Sequence, residues 1–395
     1  MKVFLIATFF WLSSILHAQV PKEFNPALAS DLIRLCTSYT FLDLYSSDKD
    51  IIPVGYNLIY TSTSSRLDNK FQVYLKDSLV VLNFRGSTAD PFSWLENLHA
   101  AMIPANDVIR IDDEVFQYSF AQDTSAAVHG GYALGLAYIY EDLFDVIDSL
   151  NTVGYHDFII TGHSQGGAIA NMFRALLENL PAERFPANNN YLTYAFAAPM
   201  IGNKTFVNEY NRRYCNTGTS FNVVNPEDGI PSLPSSFNDS SKIIYDNIVL
   251  YLTKPEEIKL KYFLKDASYL LVGKALTNQI HKVGESIINR VSHDPGEVVL
   301  PEYIDDINYH YVGNVVHVPS VNYPEIAEDS LVLVNGNYRT TYNIIDYKKY
   351  FPDKNAISEP SMFQHKPYNY YVAVLLRFFP EQYLKLDKKF LGENL

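Results

Sequence analysis

An apolar run, Phe158-Ile159-Ile160-Thr161, passes without a spacer into Gly162-His163-Ser164-Gln165-Gly166-Gly167 and then into a helical pattern over 168–180. Strand, sharp glycine turn and helix thus follow each other without a spacer. The turn must hold Ser164 at strained backbone angles, and the flanking glycines let neighbouring chain approach where a Cβ would collide. A serine so placed has its oxygen lifted clear of the sheet, which is what a nucleophile needs. G-x-S-x-G spacing by itself arises by chance in many chains; the strand before it and the helix after it give it weight over a plain glycine-rich turn.

The rest of the chain extends the same alternation. A helical pattern covers 31–44, and strands at 71–75 and 79–84 are joined by a tight turn at Lys76-Asp77-Ser78 and followed by the loop Arg85-Gly86-Ser87. After Gly130-Gly131 a helix is expected over 134–150, with Leu136, Ile139, Tyr140, Leu143, Phe144 and Ile147 at helical spacing. Further strands are expected at 191–197 and 221–225. Strands alternating with helices predict an α/β fold with a mostly parallel sheet and helices on both faces.

Between about 240 and 300 the texture becomes helical, with a stripe of Leu276, Ile280, Val283, Ile287 and Val291 and a group of lysines nearby. This reads as an inserted helical subdomain. Its stripe either packs on the core or serves as a cap or lipid-surface element.

The opening residues, Met1-Lys2, an apolar run over 3–12 and Ser13-Ser14-Ile15-Leu16-His17-Ala18, have the layout of a signal peptide over 1–18. That predicts secretion, extracellular or periplasmic, of a domain spanning 19–395. The apolar run is shorter than the roughly 20 residues of a spanning helix, and no later run is longer, so no transmembrane helix is expected in the mature chain.

A net charge of −13 argues against nucleic acid or an anionic bilayer as a partner held by bulk electrostatics and leaves neutral lipid open. Cys36 and Cys215 are the two cysteines, open to one bridge or to two buried thiols. Asn203-Lys204-Thr205 and Asn238-Asp239-Ser240 match glycosylation sequons.

A serine hydroxyl is a weak nucleophile at neutral pH, so a histidine must take its proton and a carboxylate must orient that histidine. On this kind of turn the chain order is serine, acid, histidine. Asp228, in Val223-Val224-Asn225-Pro226-Glu227-Asp228-Gly229-Ile230-Pro231, is the best acid because it follows an expected strand, where sites of open α/β sheets collect. Glu227 is its neighbour and alternative, and a solvated turn aspartate is the plain reading.

The histidines beyond it are His281, His293, His310, His317 and His365, and pattern alone does not choose among them. His281 in a helical stripe and His317 in a valine-rich run read as structural. His293 and His365 sit in loop-like surroundings. The developing oxyanion needs donors: the Gln165 N–H is one, and the Ser87 N–H, with or without its hydroxyl, is the other candidate. Nothing in this chemistry calls for a metal or an organic cofactor.

The order of these segments resembles the class 3 lipases, which include fungal triacylglycerol lipases and plant acyl hydrolases. The pieces are Phe84-Arg85-Gly86-Ser87 with Trp94 and Asn97-Leu98; Val128-His129-Gly130-Gly131-Tyr132; Thr161 through Ala168; Ala198-Pro199-Met200-Ile201-Gly202-Asn203; and Val224 through Pro234.

The resemblance implies an α/β-hydrolase with Ser164 as nucleophile, Asp228 as acid, Ser87 and Gln165 at the oxyanion hole, and a lid over roughly 88–98. The stretch Tyr309-His310-Tyr311-Val312-Gly313, followed by His365-Lys366-Pro367-Tyr368, implies His365 as the base. His129 and His163 read as packing around the turn. The implied activity is a serine esterase or lipase acting on acylglycerols at a lipid–water interface. Phospholipid acyl esters or short soluble esters are the alternative substrates, and a secreted binding protein without turnover is the alternative class. Gln165 stands where leucine is common, and the helical insertion is larger than in the compact fungal enzymes, so the substrate does not carry over with the mechanism.

Overall fold

A computed structural model describes residues 23–44, 51–88, 90–181, 183–184, 189–234, 273–292, 297–321, 331–334, 337–340 and 362–385. The expected signal peptide, most of the 240–300 segment, His293 and the Asn238 sequon lie outside the described residues. In chain order the elements are α1 (Pro26–Leu44), β1 (Asn57–Thr61), β2 (Phe71–Lys76), β3 (Leu79–Phe84), α2 (Pro91–Leu98), β4 (Met102–Pro104), β5 (Asn106–Ile111) and β6 (Glu114–Ser119). There follow β7 (Ala127–His129), α3 (Gly130–Ala137), α4 (Tyr140–Thr152), β8 (Asp157–His163), α5 (Gln165–Asn179), β9 (Asn190–Phe196), α6 (Lys204–Tyr210) and β10 (Ser220–Val224). Then come α7 (Gly273–Val291), β11 (Val298–Val299), β12 (Asn314–His317) and α8 (Pro367–Phe378).

The main sheet has the order β1-β2-β3-β8-β9-β10-β12. β1 to β3 form an antiparallel meander, and from β3 onward every pairing is parallel. β8 lies at the centre and is buried along its whole length, as expected of a parallel strand covered on both faces. Its alternating side chains sort into two cores. Phe158 and Ile160 join Leu136, Leu143, Ile147 and Phe173 of α3, α4 and α5, whereas Ile159 joins Leu32, Ile33, Val372 and Val374 of α1 and α8. This is an α/β fold with helices on both faces of a mostly parallel sheet.

Boundaries moved where capping or packing overrode periodicity. α1 begins at Pro26, ahead of the apolar pattern, because the Asn25 side chain accepts from the Ala27 and Leu28 N–H groups and proline suits the first helical position. The helix expected over 134–150 is two helices, α3 and α4. Every residue of α3 is buried, while α4 buries only Leu143, Phe144, Ile147 and Leu150. The chain turns at Tyr138-Ile139, between the enclosed helix and the half-exposed one.

The hairpin β5–β6, extended by β11, had no counterpart in the sequence reading. Its signal is there in the burial of Ile109, Ile111, Phe116 and Tyr118 at period two about a turn at Asp112, whose φ is 53°.

α7 turns Val283, Ile287 and Val291 into the same core as Leu95 and Leu98 of α2. Gly284 permits that approach, since a Cβ there would lie 2.9 Å from His99 Nε2 and 2.7 Å from the Tyr303 hydroxyl. Cys36 and Cys215 are free thiols, both buried. Asn203 is buried as the cap of α6, its amide bonded to Phe206 N, Ala127 N and Ser125 O. Among the described residues, no helix is long and apolar enough to cross a membrane.

Candidate active site

The β8–α5 turn puts Ser164 at φ 58°, ψ −129°, a region that side-chain-bearing residues rarely occupy. The glycines around it are there for contact. A Cβ on Gly162 would lie 2.3 Å from the Gly166 backbone, and one on Gly166 would lie 2.2 Å from the Phe84 carbonyl oxygen. Gly166→Ala therefore presses a methyl group onto main chain that cannot yield. The expected loss is at least about 1–3 kcal/mol, read from urea unfolding midpoints; an unchanged midpoint would show that the turn has slack.

The strained residue is tied in by Ser164 N donating to Phe196 O at 2.9 Å, and by Gly167 N and Ala168 N donating to Ser164 O. Gln165 opens α5, so its N–H has no intrahelical acceptor and points where the positive end of the helix dipole favours an anion.

Asp228 sits in the loop after β10 and is buried, whereas Glu227 is exposed. The loop folds on Asn225, whose side chain accepts from Glu227 N and whose carbonyl accepts from Asp228 N. Asp228 Oδ1 accepts from Ile230 N at 3.0 Å. Asp228 Oδ2 accepts from His365 Nδ1 at 2.8 Å and from the Tyr370 hydroxyl at 2.7 Å. Burial and the neighbouring Asp228 hold the Tyr370 phenol well above its ordinary range, so it stays a donor.

His365 closes a single 3₁₀ turn, Phe363–His365, ahead of α8. Gln364 fastens that turn to the sheet: its amide oxygen accepts from Asn225 Nδ2 and Val321 N, and its nitrogen donates to Val321 O. His365 Nε2 then lies 2.8 Å from Ser164 Oγ. Because an ionised carboxylate only accepts, Asp228 fixes the proton on Nδ1 and leaves Nε2 free to accept from the serine. Ser164, His365 and Asp228 thus lie in one hydrogen-bonded line.

The other described histidines stand elsewhere. His310 bridges to Gly202, His281 Nε2 contacts Ile304 O, and His317 ends β12 at the surface. His163 packs between His365 and Tyr370, and His129 stacks on Tyr132; burial holds the pKa of both far below the ordinary histidine value. Tyr370, Gln364 and Asn225 were not singled out from sequence. Their roles depend on contacts made across more than 130 residues of chain, which no local pattern reveals.

The loop after β3 approaches the turn from the side. A Cβ on Gly86 would meet the His163 carbonyl oxygen at 2.8 Å and Ser164 Cβ at 3.5 Å. Arg85 anchors the loop through Asp68, donating to its carboxylate at 2.5 Å and to its carbonyl at 2.6 Å, and Thr88 Oγ1 donates to the same carboxylate. The Ser87 hydroxyl donates to Gln165 Oε1 at 2.6 Å and accepts from Asn97 Nδ2 at 2.8 Å. Its proton is therefore turned toward Gln165. The segment expected as a lid contains α2, which buries Ser93, Leu95, Glu96 and Leu98 and leaves Phe92 exposed. Among the described residues, no group of histidine, cysteine and carboxylate side chains is arranged to hold a metal ion.

Strand order, the serine at the β8–α5 turn, the aspartate after β10 and the histidine ahead of α8 define an α/β-hydrolase architecture. Residues 81–238 match the model of the family described as lipase (class 3).

A secreted mono- and diacylglycerol lipase of Fusarium solani is 26% identical over 132 residues, which are 32% of this chain and 37% of that protein. The chain thus spans little more than a third of that relative's length. The Rhizomucor miehei lipase propeptide complex aligns over 53% of this chain and 63% of its own, at 20% identity and a TM-score of 0.40. Lipase II from Rhizopus niveus aligns over 53% and 75%, at 23% identity and a TM-score of 0.39.

Proposed function

We propose that the chain hydrolyses carboxylic esters of lipids, with Ser164 as nucleophile, His365 as general base and acid, and Asp228 as the group that orients it. The observation that carries this reading is the run of two 2.8 Å hydrogen bonds from Ser164 Oγ through the imidazole to the buried carboxylate. Ser164 Oγ attacks the ester carbonyl carbon while its proton passes to His365 Nε2. The oxyanion is held by the N–H groups of Gln165 and Ser87. On collapse, the imidazolium gives its proton to the departing alkoxide, leaving an acyl group on Ser164. Water then attacks that carbonyl, loses a proton to Nε2, and the acid leaves as Ser164 recovers its hydrogen. Asp228 keeps the imidazole oriented throughout.

An acylglycerol is the substrate class we assign, from the family model that residues 81–238 match and from the activity for which the Fusarium relative is named. Phe92, exposed on α2 beside the oxyanion loop, suits an apolar acyl chain or an interface, and α2 is the segment assigned to a lid. Export follows in the same proposal, with residues 1–18 removed.

A fluorophosphonate probe should label the protein to about one equivalent, with the adduct on the peptide containing Ser164, and labelling should block hydrolysis of p-nitrophenyl esters. A protein that stays unlabelled has no activated serine and would be a binding module instead. Chain-length profiling, with a rate jump above the substrate's solubility limit, separates acylglycerol hydrolysis from action on short soluble esters. Release of fatty acid from phospholipid vesicles identifies the phospholipase alternative.

A further inference from the structure

Beneath the oxyanion loop lies a carboxyl group that the mechanism above does not use. Glu96, on the inner face of α2, is 1% exposed, and α3 makes room for it with a glycine: a Cβ on Gly135 would fall 2.5 Å from Glu96 Cδ and Oε1. Glu96 Oε2 accepts from Gln165 Nε2 at 2.7 Å and from Asn69 Nδ2 at 2.6 Å. The opposite end of the Gln165 amide is crowded by donors. Gln165 Oε1 accepts from the Ser87 hydroxyl at 2.6 Å, from Asn97 Nδ2 at 3.2 Å and from the Ser93 hydroxyl at 3.4 Å. Asn97 is itself held by the Tyr132 hydroxyl at 2.9 Å.

This arrangement has a direction. An amide reversed at Gln165 would turn its N–H groups onto Asn97 Nδ2 and strip the Ser87 hydroxyl of its acceptor. A group that only needs to accept, placed at the nitrogen end, prevents the reversal, and Glu96 is that group. Burial also matters for charge, because it pushes the Glu96 carboxyl up to about 8. At neutral pH it is therefore an uncharged acid, its proton on Oε1 because Oε2 already accepts two N–H donors, and no buried negative charge sits behind the position where an oxyanion develops. The titratable group facing it from α3 is the Tyr132 phenol, raised by its own burial and by Glu96; Asn69 and Gln165 face it from the other sides.

We propose that Glu96 and the Gln165 side chain are positioning residues for the oxyanion site. Glu96 sets the orientation of the Gln165 amide, and the amide oxygen latches the Ser87 hydroxyl, so that the backbone N–H groups of Ser87 and Gln165 are the donors to the oxyanion. This rests on the ester-hydrolase reading above.

The test is steady-state hydrolysis of a p-nitrophenyl ester by Glu96→Gln, Glu96→Leu, Gln165→Leu, Ser87→Ala and the Gln165→Leu/Ser87→Ala double variant, each normalised to sites labelled by fluorophosphonate. Glu96→Gln keeps an acceptor facing Gln165 Nε2, so its kcat should stay within about threefold of wild type. Glu96→Leu and Gln165→Leu should lose about 10- to 100-fold in kcat with little change in KM, less than the loss of a whole oxyanion donor. Gln165→Leu and Ser87→Ala remove the two ends of one latch, so the double variant should be no worse than the worse single one. Wild-type kcat per labelled site in Glu96→Leu and Gln165→Leu overturns the proposal, as does a Glu96→Gln protein as impaired as Glu96→Leu. If Glu96→Leu does not fold, Gln165→Leu and the double variant decide, since leucine retains most of the buried volume. Failure of the parent reading looks different: the wild-type protein itself would neither label nor turn over.

Discussion

Ser164→Ala should lower kcat on a medium-chain p-nitrophenyl ester by about a million-fold, and Asp228→Asn by about ten-thousand-fold, in proteins that remain folded. The first loss removes the atom that forms the acyl intermediate, leaving only binding and oxyanion stabilisation to act on water. The second follows from which groups donate to Asp228. Its Oδ2 accepts from both His365 Nδ1 and the Tyr370 hydroxyl, and Oδ1 accepts from Ile230 N. An asparagine must turn one N–H toward a partner that was itself a donor. Turned to the imidazole, it favours the tautomer with Nε2 protonated, which cannot take a proton from Ser164. Tyr370→Phe removes one donor and leaves the tautomer unchanged, so about 1 kcal/mol, or several-fold in kcat, is expected there. Because serine, imidazole and carboxylate act as a unit, Ser164→Ala combined with Asp228→Asn should be little slower than Ser164→Ala alone. Active-site-titrated kinetics check all of this; a Ser164→Ala protein with substantial turnover would eliminate the assignment of Ser164.

The turn at Ser164 was legible because its physics is local. Strand, glycines and helix are contiguous in the chain, and the glycines are needed within the turn itself. The parallel sheet was legible for a similar reason, since β8 and β10, buried along their whole length, carry mostly apolar runs such as Phe158-Ile159-Ile160 and Val223-Val224. Asp228, which contacts His365, could be picked out by its position after a strand. The choice of histidine could not be made from pattern, because His365 approaches Ser164 from 201 residues away through a turn held by Gln364, Asn225 and Val321. Family order pointed to His365; periodicity did not. Glu96 was unreadable for a different reason. An acidic residue on a short amphipathic helix reads as solvated, and only the space left by Gly135, far along the chain, tells otherwise.

That buried carboxyl carries a second large expectation, one of stability. In the unfolded chain Glu96 has an ordinary pKa near 4.5, and in the folded protein burial raises it to about 8. Below about pH 4.5 both states hold the proton and the group is neutral to folding. Between about pH 4.5 and 8 the unfolded state releases it while the folded state keeps it, so the folded state loses roughly 1.4 kcal/mol per pH unit. By about pH 8 the accumulated loss is on the order of 5 kcal/mol, beyond which it levels off as the folded state also ionises. Glu96→Gln cannot titrate and retains an acceptor for Gln165 and Asn69. The variant should therefore match wild type near pH 5 and exceed it in unfolding free energy by several kcal/mol near pH 8, a difference comparable to the whole stability of many domains. The Tyr132 phenol, which feels Glu96, titrates above this range, so between pH 5 and 8 subtracting the two urea-unfolding curves at each pH isolates this carboxyl. Curves that run parallel from pH 5 to 8 would mean that Glu96 is ionised in the folded protein, and the picture of a neutral acid behind the oxyanion site would be wrong.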